Sequence, residues 1–176
     1  MKILIARHAT TDWNLERRIQ GQRDIPLNDR GRAVAAQLAE KVAVRGITLI
    51  VCSDLCRAVE TAEIVAARTG ARIRRDPRLR ESCFGSLEGM TYEEIDRIPG
   101  AWSRDSLDFD FRKFGGECSI GVDLRQSECF DEIRVRESHE RPLVIGHGRS
   151  LFTKLSSLFG TPTPIPPQGE FLEIDI

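Results

Sequence analysis

No stretch of this chain approaches the roughly 20 consecutive apolar residues needed to span a bilayer, so a membrane-embedded protein is not expected. The opening "MKILI" is too short for the apolar region of a secretory leader and runs straight on to Arg7. Surplus charge is missing too, since 26 basic and 27 acidic residues leave a net charge of -1. Without a global field, neither nucleic acid nor an anionic membrane is an expected partner, and any recruitment falls to local sites. Lysine is scarce, supplying 4 of the 26 basic residues against 22 arginines. The planar guanidinium fork suits bidentate recognition of phosphate, although codon bias alone accounts for such a skew. No Cys-x-x-Cys pair occurs, and the five cysteines (Cys52, Cys56, Cys83, Cys118 and Cys129) leave one over in any disulfide scheme. A reducing cytoplasm is the compartment that fits. Repeats and low-complexity tails are also absent, and 176 residues at 40% apolar composition suit one compact domain over residues 1–176.

What is present is an alternation of short apolar runs with amphipathic stretches. Residues 2–6 read as a buried strand, because Ile3, Leu4 and Ile5 run continuously rather than alternating with polar residues. From Asn28 a capping residue and helical spacing predict a helix that ends near Gly46. "ITLIVC" (47–52) is a second strand, after which Ser53 or Asp54 caps a helix closed by Gly70. A weak strand follows around Ile73, then a turn-rich stretch, then a short helix opened by a Thr91/Glu94 capping box and stopped by Pro99. Residues 119–138 read as a charged surface helix, 142–148 as a third strong strand, 150–159 as a helix, 161–167 as a proline-rich loop and "FLEIDI" as a terminal strand. This order predicts a single-domain, three-layer α/β/α sandwich with a mostly parallel central sheet.

In such sheets ligands sit beyond the carboxyl ends of the strands. That rule gathers Arg7 and His8 after the first strand, Arg57 at the start of the helix after the second, and His147 at the end of the third. A neutral imidazole can attack phosphorus and form a phosphohistidine, and neighbouring guanidinium groups disfavour its protonation. Two histidines without a plausible third ligand argue against a metal site, since His139 in "SHERP" reads as a solvated loop residue. The arginines can then supply the electrostatic stabilisation that magnesium supplies elsewhere. Glu81 is the candidate general acid for the departing alkoxide; alternatively it pairs with Arg80 as a surface ion pair. Cys83, close to Glu81 in sequence, is either a buried inert thiol or a point of oxidation sensitivity.

The blocks "RHATTDWN", "IQGQRDIPLNDRGRAVA", "CSDLCRAVETAEIV", "LRESCFGSLEG", "FGGEC" and "VIGHG", in that order, resemble the histidine phosphatase superfamily in its phosphoglycerate mutase-like branch. The resemblance covers nearly the whole chain. It implies a metal-independent phosphomonoester hydrolase acting on a small phosphorylated metabolite, with His8 as nucleophile, Glu81 as proton donor, and no cofactor. It further implies that Arg7, Arg57, His147, Asn14 and Gly148 surround the phosphoryl group, with Gln20 and Gly21 on the substrate side. Trp13 is read as packing. Three positions depart from the pattern: Ala9 and Thr10 replace the usual glycine and acidic residue after the histidine, and Gly146 stands where a serine is common.

The phosphohistidine of such an enzyme can pass its group to water or to a second alcohol. Mutases of this family carry a long insertion between the glutamate and the Gly-Gly-Glu block, whereas here only a short lid, 82–116, is available. Its part from 101 to 114 balances Arg104, Arg112 and Lys113 against Asp105, Asp108 and Asp110, so a cradle for a bisphosphorylated intermediate is not evident. Hydrolysis is therefore expected, with a cofactor-dependent phosphoglycerate mutase or an α-ribazole 5'-phosphate phosphatase as alternatives. A non-catalytic phosphate-binding module is the reading from a different class. Trp102, Phe109, Phe111 and Phe114 either touch an apolar part of the substrate or form a satellite cluster under the lid. A monomer or homodimer is expected.

Overall fold

A computed structural model describes residues 1–100 and 108–176. Five strands form one sheet in the order β3-β2-β4-β1-β5, with β1 spanning Lys2–Arg7, β2 Leu49–Cys52, β3 Arg72–Arg75, β4 Pro142–Gly146 and β5 Phe171–Asp175. The first four are mutually parallel where they pair, and β5 runs antiparallel to β1 at one edge. The alternation of side chains along a strand explains why both faces are apolar. Leu4, Ala6, Ile50, Cys52, Leu143 and Ile145 face one side. They meet Leu38, Ala39 and Val42 of helix α2 (Asp29–Ala43) and Ala58, Ala62 and Val65 of α3 (Cys56–Thr69). Ile3, Ile5, Leu49, Val51 and Val144 face the other. There they pack on Cys129, Phe130 and Ile133 of α5 (Ser119–Arg136) and on Leu151 and Leu155 of α6 (Gly148–Phe159). Each aliphatic side chain buried in this way contributes about 1.5–3 kcal/mol by leaving water. The result is the expected three-layer α/β/α sandwich. Among the described residues no helix is long and apolar enough to cross a membrane.

Several element boundaries differ from the sequence expectation, for identifiable reasons. A short helix α1 (Asp12–Leu15) forms within the first loop, held by a capping box between Thr11 and Asn14. The start of α3 is not capped by Ser53 or Asp54. Its N-cap is Leu55, and the orphan N–H of Cys56 is met at 2.7 Å by the Asp24 carboxylate, 32 residues away in sequence. Asp54 instead accepts both arms of Arg80 at 2.7 and 2.6 Å. The third strong strand stops at Gly146, so that His147 becomes the N-cap residue of α6. Between β3 and α5, helix α4 (Tyr92–Asp96) has the predicted Thr91/Glu94 capping box.

The β1–β4 pairing aligns Arg7 with Gly146, so the residues that follow each strand emerge side by side at the carboxyl end of the sheet. The loop after β1 is packed against α2 so closely that a Cβ on Gly31 would sit 2.0 Å from the Thr10 carbonyl oxygen. Only glycine permits this approach, and it seals the loop bearing His8 onto the helix below.

Candidate active site

The main chain carries the β1 ladder one step past the strand, where His8 N–H donates to Gly146 O at 2.9 Å. Ala9 N–H then donates to Thr61 Oγ1 at 3.0 Å, and the Thr61 hydroxyl in turn donates to Arg57 O at 2.7 Å, tying the nucleophile loop to α3. Among the described non-glycine residues the left-handed φ belongs to Arg17, so Ala9 needs none of the freedom of the glycine it replaces. Gly146 is explained in a similar way, because a Cβ there would press on Leu151 Cγ at 3.0 Å.

His8 is almost fully buried. Its Nδ1 lies 2.7 Å from the Ala9 carbonyl oxygen, which can only accept, so Nδ1 carries the proton and Nε2 keeps its lone pair. Burial first, then the Arg57 and Arg7 guanidinium groups, hold its pKa well below the ordinary histidine range. The cations were anticipated from the sequence; the larger effect, desolvation, was not. His147 is fully buried with its ring centroid 5.1 Å from that of His8, and neither of its nitrogens has a hydrogen-bond partner. Its pKa is also lowered, chiefly by burial and then by Arg57.

Two histidines buried neutral make stability pH-dependent. The unfolded chain binds protons below about pH 6.5, which the folded protein refuses, so the stabilisation is complete above that value and falls as pH drops toward the lowered folded pKa values. The expected slope approaches about 1.4 kcal/mol per pH unit for each ring. Urea unfolding at about pH 7 and about pH 5.5 measures it, and a flat response from His8 and His147 would contradict the neutral pair.

Arg57, on the first turn of α3, is wholly buried and donates through Nη1 to Arg23 O and through Nη2 to Gly21 O, both at 2.7 Å. Burial draws its pKa down and the Glu81 carboxylate pushes it back up. Arg7 has a buried Nε without a partner. Glu81 does not pair with Arg80, which is engaged by Asp54. Its carboxylate instead sits on the N-terminus of α6, where Oε1 accepts from Ser82 N and Ser150 N, each at 2.8 Å, and Oε2 from Arg149 N at 3.0 Å. The positive end of the helix favours an acid there. Behind it, Arg125 donates to the carbonyls of Arg78, Arg80 and Glu81 and pairs with Glu117 of the Gly-Gly-Glu block, fixing the strap that carries Glu81.

Arg7, His8, Asn14, Gln20, Gly21, Arg57, Glu81 and Gly148 all line one cavity of about 430 Å3. The sequence thus brought together the residues it singled out, with one exception in placement: His147 stands behind His8 and does not line the cavity. The rest of its lining was missed: Ile19, Phe84, Tyr92, Phe152 and Ile165, together with Arg18 and Arg149. Arg149 directly follows the His147-Gly148 pair, and that adjacency was the available signal.

The lid aromatics resolve toward packing. Phe109 and Phe111 are buried with Phe84, Leu87, Ile95 and Val122, and Phe114 packs against that cluster, while Trp102 lies outside the described residues. Trp13 sits outside the cavity with Arg18 over its ring. Burial pushes the Cys83 thiol pKa up, which removes the basis for a reactive thiolate. Among the described residues, the acid and histidine side chains close enough to share a metal ion are Glu137, His139 and Glu140, and Arg72 already pairs with both carboxylates at 2.6 and 3.1 Å.

The profile of the histidine phosphatase superfamily (branch 1) matches residues 3–171. A protein of Proteus mirabilis named probable phosphoglycerate mutase GpmB is 37% identical over 164 residues, covering 92% of this chain and 76% of that protein. A mycobacterial glucosyl-3-phosphoglycerate phosphatase solved with VO3 superposes with a TM-score of 0.87 at 32% identity, covering 99% of this chain and 92% of that one. Bacillus stearothermophilus YhfR gives 0.88, also at 32% identity, with 99% and 91% covered.

Proposed function

This chain belongs to the histidine phosphatase superfamily, and from that premise we propose that it is a metal-independent phosphomonoester hydrolase working through a phosphohistidine. The observation that carries the reading is His8, a neutral imidazole whose free Nε2 lies in a cavity flanked by Arg7 and Arg57 with Glu81 on its wall. Nε2 attacks phosphorus and the ester P–O bond breaks. A proton taken up with the phosphoester is carried on Glu81 and passes to the alkoxide, and the guanidinium groups stabilise charge on the equatorial oxygens. Glu81 Oε1 already accepts two N–H groups and Oε2 only one, so Oε2 is the atom with room for that proton. Water then attacks the phosphohistidine, giving its proton to Glu81, and inorganic phosphate leaves.

Hydrolysis is favoured over transfer to a second alcohol by the described part of the lid. Arg112 is held bidentately by Asp110 at 2.9 and 2.6 Å, and Lys113 donates to Gly100 O, so both are already engaged and neither is poised for a second phosphate. Phosphate release and isomerisation measured side by side over a panel of metabolites test this. Phosphate is the expected product, and isomerisation without release would favour the mutase reading. Binding of phosphate or vanadate without any turnover would favour a binding module.

Arg7, Arg57 and Arg149 line the cavity beside the one carboxylate of Glu81, while Arg18, also in its lining, is paired with Glu16 at 3.0 Å. A carboxylate-bearing ester of the phosphoglycerate type, the moiety in the names of the relatives, suits Arg149 as its second partner. The variant Arg149→Ala keeps the main-chain N–H on Glu81 and removes only the side chain. It is expected to raise KM for carboxylate-bearing esters about tenfold more than for p-nitrophenyl phosphate, the worth of one charge-assisted hydrogen bond. Equal effects on both would assign Arg149 a different part.

A further inference from the structure

Gln168 follows the proline-rich loop and lies outside every sequence block that carries the family resemblance, yet its side chain reaches the main chain of the nucleophile. Its Nε2 donates to His8 O and to Asn14 Oδ1, each at 3.1 Å, and its Oε1 accepts from Thr10 Oγ1 at 2.8 Å. Which end of each amide is which follows from neighbours that can play only one part. The His8 carbonyl can only accept, so the Gln168 atom facing it is nitrogen. The Thr11 main-chain N–H can only donate, so the Asn14 atom 3.0 Å from it is oxygen. The Thr10 hydroxyl completes the set as donor to the remaining oxygen. An acidic side chain at position 10, as in the usual family pattern, would demand the opposite end of this glutamine; the threonine here matches the end that faces it.

Asn14 Oδ1 is thereby engaged by Thr11 N and by Gln168, with the Thr11 hydroxyl, whose single proton also faces Gln20 Oε1, at 3.1 Å. Its Nδ2 is the end left for the cavity that Asn14 lines. We propose that Gln168 is a positioning residue: with Thr10 it forms a polar relay that fixes the Asn14 amide with its N–H groups, and not its oxygen, toward the phosphoryl group. The relay rests on the reading that the cavity receives a phosphoryl group at His8. If the polarity were lost, an oxygen lone pair would face an anion.

The discriminating variant is Gln168→Glu, which keeps the shape and replaces the donor by an acceptor. It is expected to lower kcat on p-nitrophenyl phosphate by about 100-fold, against about tenfold for Gln168→Ala, because it sets a carboxylate against the His8 carbonyl and Asn14 Oδ1. A space-filling role predicts the reverse order. Adding Gln168→Ala to Asn14→Ala is expected to remove no more than about threefold further, since most of its effect passes through Asn14. Gln168→Met serves the same cycle should the charged variant not fold. Equal losses from the Gln168 change with and without Asn14, or a Gln168→Glu enzyme as active as wild type, would overturn the relay. The same cycle, followed through inorganic phosphate affinity by calorimetry, separates the relay from catalysis: a wild-type protein that binds phosphate without turnover refutes the hydrolase and still tests the relay.

Discussion

His8→Ala is expected to reduce turnover by about 10,000-fold or more while leaving the cavity able to bind inorganic phosphate. The asymmetry follows from how the site is built. The imidazole contributes the attacking Nε2, whereas Arg57 and Asn14 are held by contacts of their own and remain in place without it. Arg57 in particular is anchored to the carbonyls of Gly21 and Arg23, not to His8. Losing the nucleophile therefore forces water to attack the ester directly, with no covalent intermediate to divide the barrier. Steady-state hydrolysis and phosphate calorimetry on the variant check both halves. A variant that hydrolyses within tenfold of wild type would remove His8 from the chemistry.

The second large effect depends on the leaving group. Replacing Glu81 by glutamine is expected to slow alkyl phosphates by about 100- to 10,000-fold, roughly the worth of general acid catalysis, and p-nitrophenyl phosphate far less, because its phenolate departs with little help. Glutamine also places an N–H group near the Arg149 main-chain donor that now meets Oε2, an unfavourable contact. That penalty is common to both substrates, so the ratio between them isolates the proton transfer. Similar losses on the two esters would mean that Glu81 serves to hold α6 and not to protonate the alkoxide.

The two strand-end histidines, Arg57 and the sandwich itself were legible because each follows from a short-range pattern: continuous apolar strands, helices at regular spacing, and ligands beyond the carboxyl ends of parallel strands. What was missed depends on contacts between distant residues. The cap of α3 comes from Asp24, and the partner of Arg80 is Asp54 and not Glu81. Phe109 and Phe111 bury themselves against Phe84 and Val122, a choice that no local period in the lid announces. His147 was correctly placed beside His8 but does not line the cavity, and the strand before it stops two residues earlier than its composition suggests. Gln168, 160 residues from His8, carries no motif at all and is visible only through its three hydrogen bonds.

The central claim is that a phosphoryl group becomes bonded to His8 Nε2 in every catalytic cycle. Mass spectrometry of peptides from a reaction stopped within its first turnover in alkali, where phosphohistidine survives, tests it most directly. The account predicts one added phosphoryl group on the peptide bearing His8, absent from His8→Ala and accumulating when the second step is slowed. An unmodified His8 during active turnover, or a label carried by another residue, would contradict it.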